Sequence, residues 1–463
     1  MSTTDHESGR RTAGGRRISP TGVLAVVLPL LTVGALWLVQ PEPTVTTDRP
    51  ADAVPVDQAD LVCPPAIGDR PGLAVAPAGE LDGGTAAVDA GDGEPSEVDL
   101  SSDAVTTLPD RDEATFVRAQ GAVSAQLLAA RFQPDGLAAT ECAVPRPDYW
   151  FTGVGADADH ASVLQLANPD SGPGVADVTV LGRTGPLDVP ELRGLTVQGG
   201  QTVEVDLTQA VPTREELALE VVVSRGRLGA TLADSIPPLG TRRLTRDWLP
   251  ASGEPATEQL LLGLVGGEGR DVLDLANPGD DEVRVEIRIV TADASFVPEG
   301  LDEVTVAPET VESLPLTAEL RSQVAEGALG IELRSTGPVT AGLASVIEGD
   351  RVLTPVVSRT GQPVTALVPP GESSLVLAGA EGAGVATVAA YDDGELLAEK
   401  RVELTDGAGG RVDLPEGTSL VRVTPRRTAV AASLVGTGDG ATVLPLQELV
   451  RTALVPDVRP GLP

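Results

Sequence analysis

The hexapeptide Leu164-Gln165-Leu166-Ala167-Asn168-Pro169 returns as Leu273-Asp274-Leu275-Ala276-Asn277-Pro278, 109 residues further along the chain. Solenoid rungs recur every ~20–50 residues, so an interval of this size implies successive whole domains. A degenerate third copy, Leu375-Val376-Leu377-Ala378-Gly379-Ala380, lacks the Asn-Pro step. A second signature, apolar-small-Ala-x-Leu, occurs four times, beginning at Val123, Leu228, Val339 and Val430.

Within a repeat the apolar period is two, as in Thr202-Val203-Glu204-Val205-Asp206-Leu207 and Val283-Arg284-Val285-Glu286-Ile287. That period is the mark of a strand with one buried face. Asp393-Gly394 is a type I′ hairpin signal. Leu316–Val324 is the one short stretch that suits a helix. The expected fold is all-β: tandem antiparallel β-sandwich units, immunoglobulin-like in strand arithmetic but without a Cys-Trp-Cys core. The expected divisions are a divergent unit over 61–147 with a loop-rich middle from Ala76 to Asp103, then repeats over 148–250, 251–360 and 361–450, and a tail over 451–463.

Ahead of the repeats, residues 18–39 run without a charge, long enough to cross a bilayer as a helix. Four arginines (10, 11, 16 and 17) precede the run, so the positive-inside rule puts residues 1–17 in the cytoplasm and residues 40–463 outside. Leu36-Trp37-Leu38-Val39-Gln40 is a poor signal-peptidase site, which favours an uncleaved single-pass anchor over a signal peptide. Residues 40–60 form a Pro/Thr/Asp-rich stalk.

The chain carries 33 basic and 68 acidic residues, and beyond residue 17 the balance is 29 against 66, or −37. Such a charge excludes nucleic acid as a partner. The only cysteines, Cys63 and Cys142, fall in the exported part, where an even pair reads as a disulfide; two free buried thiols are the alternative.

Catalytic motifs are missing. There is no G-x-S-x-G, H-E-x-x-H or Walker pattern, and no cofactor or metal site is expected. Asp159-His160 beside Ser162 invites a triad reading, but neighbours along a strand do not face one another as a triad requires, so His160 is read as a surface loop residue. Asp89–Glu94 lacks the ligand spacing of a calcium loop and is read as a solvated acidic loop. Asn168-Pro169 and Asn277-Pro278 are read as structural turns, because Asn closes a turn with its own side chain and Pro ends the ladder. Tyr149-Trp150-Phe151 and Trp248 are the aromatic residues open to a binding role. Trp150 may alternatively fill the gap between the first two units, and Trp248 belongs to the connector between the second and third.

Cys63 and Cys142, Trp150-Phe151-x-Gly153, Leu-Ala-Asn-Pro and Asp247-Trp248-Leu249-Pro250, behind an amino-terminal anchor, resemble an uncharacterised family of actinobacterial exported proteins, a domain of unknown function. The resemblance covers most of the chain from about residue 61. It implies a cell-envelope location and gene neighbourhoods containing glycosyltransferases, and it supplies no catalytic residues. The expectation is a membrane-anchored binding or scaffold protein with an envelope protein or polysaccharide as partner. The alternatives are a wall carbohydrate-binding module and a carboxylate-based glycosidase or envelope-remodelling subunit.

Overall fold

The computed structural model describes residues 28, 30, 31 and 52–455, except 70, 91–94, 110, 111, 135, 136, 213, 237–244, 318–320 and 323–326. The expected membrane span over 18–39 and the stalk therefore lie almost wholly outside the described residues, as does most of the expected helix at 316–324. Among the described residues no helix is long and apolar enough to cross a membrane. Residues 54–453 form one compact unit; residues 1–53 and 454–463 form another.

The compact unit is mostly β. Six antiparallel sheets carry it, beside a two-stranded pairing at its ends, and helix is almost absent. The strands fall into four groups of the same order, spanning residues 58–141, 148–249, 256–355 and 364–445. Counting strands from the start of a group, the first, sixth, third and fourth lie side by side, as do the fifth, second, seventh and eighth. In the second group the fourth place is shared by Gly185–Leu187 and Leu195–Val197. In the third, Ser295–Phe296 and Val304–Val306 share it, and the single long strand Gly330–Ile347 serves as both sixth and seventh.

Alternation explains why each group closes on itself. Leu164 and Leu166 point inward from one layer, and Tyr149, Phe151, Leu217 and Leu219 from the other, all less than 2 % exposed in a single core. Burying such side chains is worth about 1.5–3 kcal/mol each. In the first group the core also contains Cys63 and Cys142, joined as a disulfide.

The turn residues act as their chemistry dictates. Asn168 is fully buried; its Nδ2 donates to the Gly172 and Val197 carbonyls, and its Oδ1 accepts from the Asp170 amide. Asn277 repeats this on Asp281, Val306 and Gly279. Pro169 and Pro278 follow at the strand ends. In the third copy Gly379, with φ +68°, stands in the place of the asparagine. Asp393 and Gly394 both have positive φ, as a type I′ turn demands, and join Gly384–Asp392 to Glu395–Leu404.

Two expectations need correction here. Val123–Leu127 is not a fourth copy of the second signature: it forms a 3-10 turn, Gly121–Gln126, and the seventh strand begins only at Leu127. The stretch from Ala76 to Asp103 is not simply loop-rich, because it holds strands Gly84–Asp89 and Ser96–Leu100, whose Ala86, Val88, Val98 and Leu100 fill the core.

The four groups pack in succession and then close. Between the first and second, Arg227 bridges Asp60 and Asp170 at 2.8 and 2.5 Å. Between the second and third, Thr152 and Thr340 share a 2.6 Å hydroxyl bond. Leu260, Leu262 and Val290 meet Val376, Val435 and Val443 between the third and fourth. Finally Ala74, Ala76 and Phe132 of the first group share a core with Val364, Leu375 and Leu434 of the fourth. Small alanines at that seam let the two layers approach closely, and Thr365 donates to the Ala78 carbonyl at 2.9 Å.

Candidate functional site

Closing the succession leaves a cavity of about 980 Å³ to which all four groups contribute wall. Asp69 and Gln133 come from the first, His160, Glu216 and Arg246 from the second, Asp274 and Arg351 from the third, and Asp439 from the fourth. Eight carboxylates face three guanidiniums, and no aromatic residue stands among the described lining residues. The volume is at the upper end of small-molecule sites, roughly 300–1,000 Å³.

The wall is built on a doubly bulged strand. Asp148–Ala156 pairs with Arg214–Arg225 but slips register between Thr152 and Val154 and again between Val154 and Ala156. Gly153 and Gly155 mark the slips. At Gly153, with φ +90°, a Cβ would lie 2.9 Å from Asp274 Oδ2; at Gly155 a Cβ would strike the His160 ring at 2.3 Å. Glycine is required in this segment because two polar side chains lie directly against its backbone.

Behind His160 sits Asp234, fully buried. His160 Nε2 donates to Asp234 Oδ1 at 2.7 Å, and Ser162 Oγ donates to the same oxygen at 2.5 Å. Arg351, reaching over from the third group, gives Nε to Asp234 Oδ2 at 2.8 Å, and its Nη2 lies 3.0 Å from His160 Nε2. Burial alone would raise the Asp234 carboxyl; the Arg351 guanidinium and His160 overcome it and hold the group down to about 2. Asp274 has the opposite balance. Burial pushes it up to about 6, against the Ser313 hydroxyl that bonds it and the nearby His160 and Arg351. Perturbed carboxyls gathered at a cleft are a mark of functional sites.

The expectation that His160 is a surface loop residue is overturned. His160 and Ser162 do share a face, being two apart on a strand, and the acid that joins them is Asp234, 74 and 72 residues on. The arrangement is still no triad. Serine and histidine both bond to the carboxylate instead of to each other, and Ser162 is fully buried, out of reach of a substrate.

The aromatic residues proposed for binding are packed inside. Tyr149, Trp150, Phe151 and Trp248 are 1, 5, 0 and 1 % exposed. The Tyr149 hydroxyl accepts from the Arg146 amide at 2.6 Å and donates to the Leu228 carbonyl at 2.5 Å. Trp150 packs on Ala276 and Val311, so it fills the seam between the second and third groups and not that between the first and second. Trp248 is no connector residue: it lies in strand Thr245–Leu249, the last of the second group, and packs on Ile67 and Ala138 of the first. None leaves a free face because the repeats have few other large side chains to fill their seams.

Arg246 and Arg351 occupy matching places in the two central repeats, opposite Ser235 and Val346 in the last hairpin of each. Arg246 donates to the Ile67 carbonyl at 2.7 Å. Among the described residues no group of three or more His, Cys, Asp or Glu is arranged to hold a metal ion.

Fold and site together define an all-β repeat protein closed around one acidic cavity. Residues 95–415 match the Family of unknown function (DUF5719), and the chain belongs to that family. No curated protein matches it.

Proposed function

We propose that this is a single-pass, extracytoplasmic binding or scaffold protein of the bacterial cell envelope, without catalysis of its own, that holds its ligand in the central cavity. On this reading the strand groups are tandem immunoglobulin-like sandwiches, divided near residues 61–147, 148–250, 251–360 and 361–450, and residues 18–39 anchor them to the membrane. The observation that carries the reading is the convergence of all four groups on one polar cavity. A tandem without a shared ligand needs no such closure.

A photo-crosslinking residue placed at Thr245, on the cavity wall, tests it in the native membrane. Thr245 should capture a ligand or envelope partner that the same residue at Leu396, half exposed on the outer strand, does not. Equal capture at both positions rejects the cavity as the site. A phosphatase reporter fused after Pro463 should be active outside the membrane, and cytoplasmic activity of a reporter there would reject the orientation.

The carboxylates of the wall favour one second reading, a carboxylate-based glycosidase or envelope-remodelling subunit. It requires release of reducing ends from wall polysaccharide that Asp274→Asn abolishes. The carbohydrate-binding alternative has less support, since the described wall offers no ring for a sugar to stack on.

A further inference from the structure

We propose that the central cavity selects a small polar ligand carrying a primary ammonium group, held between Asp274 on the inner wall and the exposed acids of the rim. The inference rests on the reading of the cavity as a ligand site.

Its first support is the sign of the wall: eight carboxylates against three arginines. Two of those arginines are already engaged, Arg351 by Asp234 and Arg246 by the Ile67 carbonyl. An anion would therefore meet a surplus of negative charge, and a cation would meet a focused attractive field. A second observation is independent of charge. Gln133, on the wall and 2 % exposed, keeps an Oε1 acceptor without a partner, although its Nε2 donates to the Asp69 carbonyl. A buried acceptor left unmade costs about 1–3 kcal/mol, and a donor-rich ligand would recover it. Carboxylates and a lone carbonyl all accept and none donates, and an ammonium offers three donors and no acceptor. Cation–π capture is not in use, because the described wall carries no aromatic ring.

The test is calorimetric titration of the full chain in mild detergent at about 0.15 M salt, where nonspecific attraction to the acidic surface is screened. The probes are spermidine, glucosamine and N-acetylglucosamine. One or both amines should bind, N-acetylglucosamine should not, and the responding amine distinguishes a polyamine from an amino-sugar source. Asp274→Asn should weaken binding about tenfold, the size of one charge-assisted hydrogen bond. The rim variant Asp69→Asn/Glu348→Gln, at two exposed positions that spare the core, should do the same with unchanged melting. Equal binding of glucosamine and N-acetylglucosamine overturns the ammonium and leaves the ligand site standing. Full affinity in both variants overturns the placement. Absence of binding by every probe overturns the proposal; with cavity-specific capture at Thr245 the ligand-site reading survives, and without it both fall.

Discussion

Asp234 and Asp247 stand directly opposite one another on adjacent antiparallel strands, 0 and 2 % exposed. Two like charges cannot both be carried there, and the surroundings decide between them. Asp234 keeps its charge because Arg351 and His160 bond it. Asp247 is pushed well above the usual carboxylate range by burial, with Asp350 and Asp234 adding to the effect, although the Trp248 and Leu353 amides donate to it. One side of the seam between the second and third groups is thus an ion pair and the other a neutral acid.

Arg351→Ala leaves Asp234 buried and uncompensated. We expect a loss of about 3–5 kcal/mol in urea unfolding. Arg351→Lys should restore only part of it, because an ammonium cannot reproduce the Nε and Nη2 fork on one carboxylate. In the double variant Asp234→Asn/Arg351→Met the losses should be far from additive. Additive losses would mean that the pair is not coupled.

Asp274 sets a pH dependence. Its carboxyl is raised to about 6 in the folded chain, so the folded state holds the proton more tightly than the unfolded one. Stability from this group is therefore complete below about pH 4 and is lost as pH rises toward 6, by about 3 kcal/mol. Ser313, His160, Arg351 and Glu216 face it and remain in place in Asp274→Asn. That variant should lose less stability than the parent between pH 4 and 6.5, measured by chemical unfolding. Parallel curves would show that Asp274 does not titrate in this window.

Tyr149→Ala and Phe151→Ala should each cost about 3–5 kcal/mol as deletions from a packed core. Tyr149→Phe isolates the hydroxyl and should cost about 1–3 kcal/mol, since the Leu228 carbonyl and Arg146 amide lose their bond. A melting temperature that barely moves in the alanine variants would make these side chains surface contacts.

Cys63 and Cys142 close a loop of 79 residues, which the chain-entropy account values at about 4.5 kcal/mol. The double variant Cys63→Ser/Cys142→Ser should unfold at correspondingly lower urea. The intact protein should be two hydrogens lighter than its reduced form. Free alkylation of both thiols without a denaturant would contradict the bond.

What the sequence determined by itself is what period and turn chemistry can carry. The alternation in Val283–Ile289 fixes which residues enter the core, Asp393-Gly394 fixes its hairpin, and Asn168 and Asn277 bond within a few residues or to the adjoining strand. Cys63 and Cys142 had only one another to meet outside the membrane. One further signal was present: in Ala230-Thr231-Leu232-Ala233-Asp234 the acid falls on the apolar face, which a buried charge alone explains. Only the tertiary structure decided who answers that charge, because Arg351 lies 117 residues away and Asp274 reaches Gly153 from a different repeat. The aromatic residues read the same way in sequence whether they fill a seam or meet a partner, since alternation says which face a side chain takes and nothing of what covers that face. The cavity belongs to none of the repeats singly. It exists because the alanine-rich layers of the first and last groups pack together, and that closure depends on contacts no local pattern encodes.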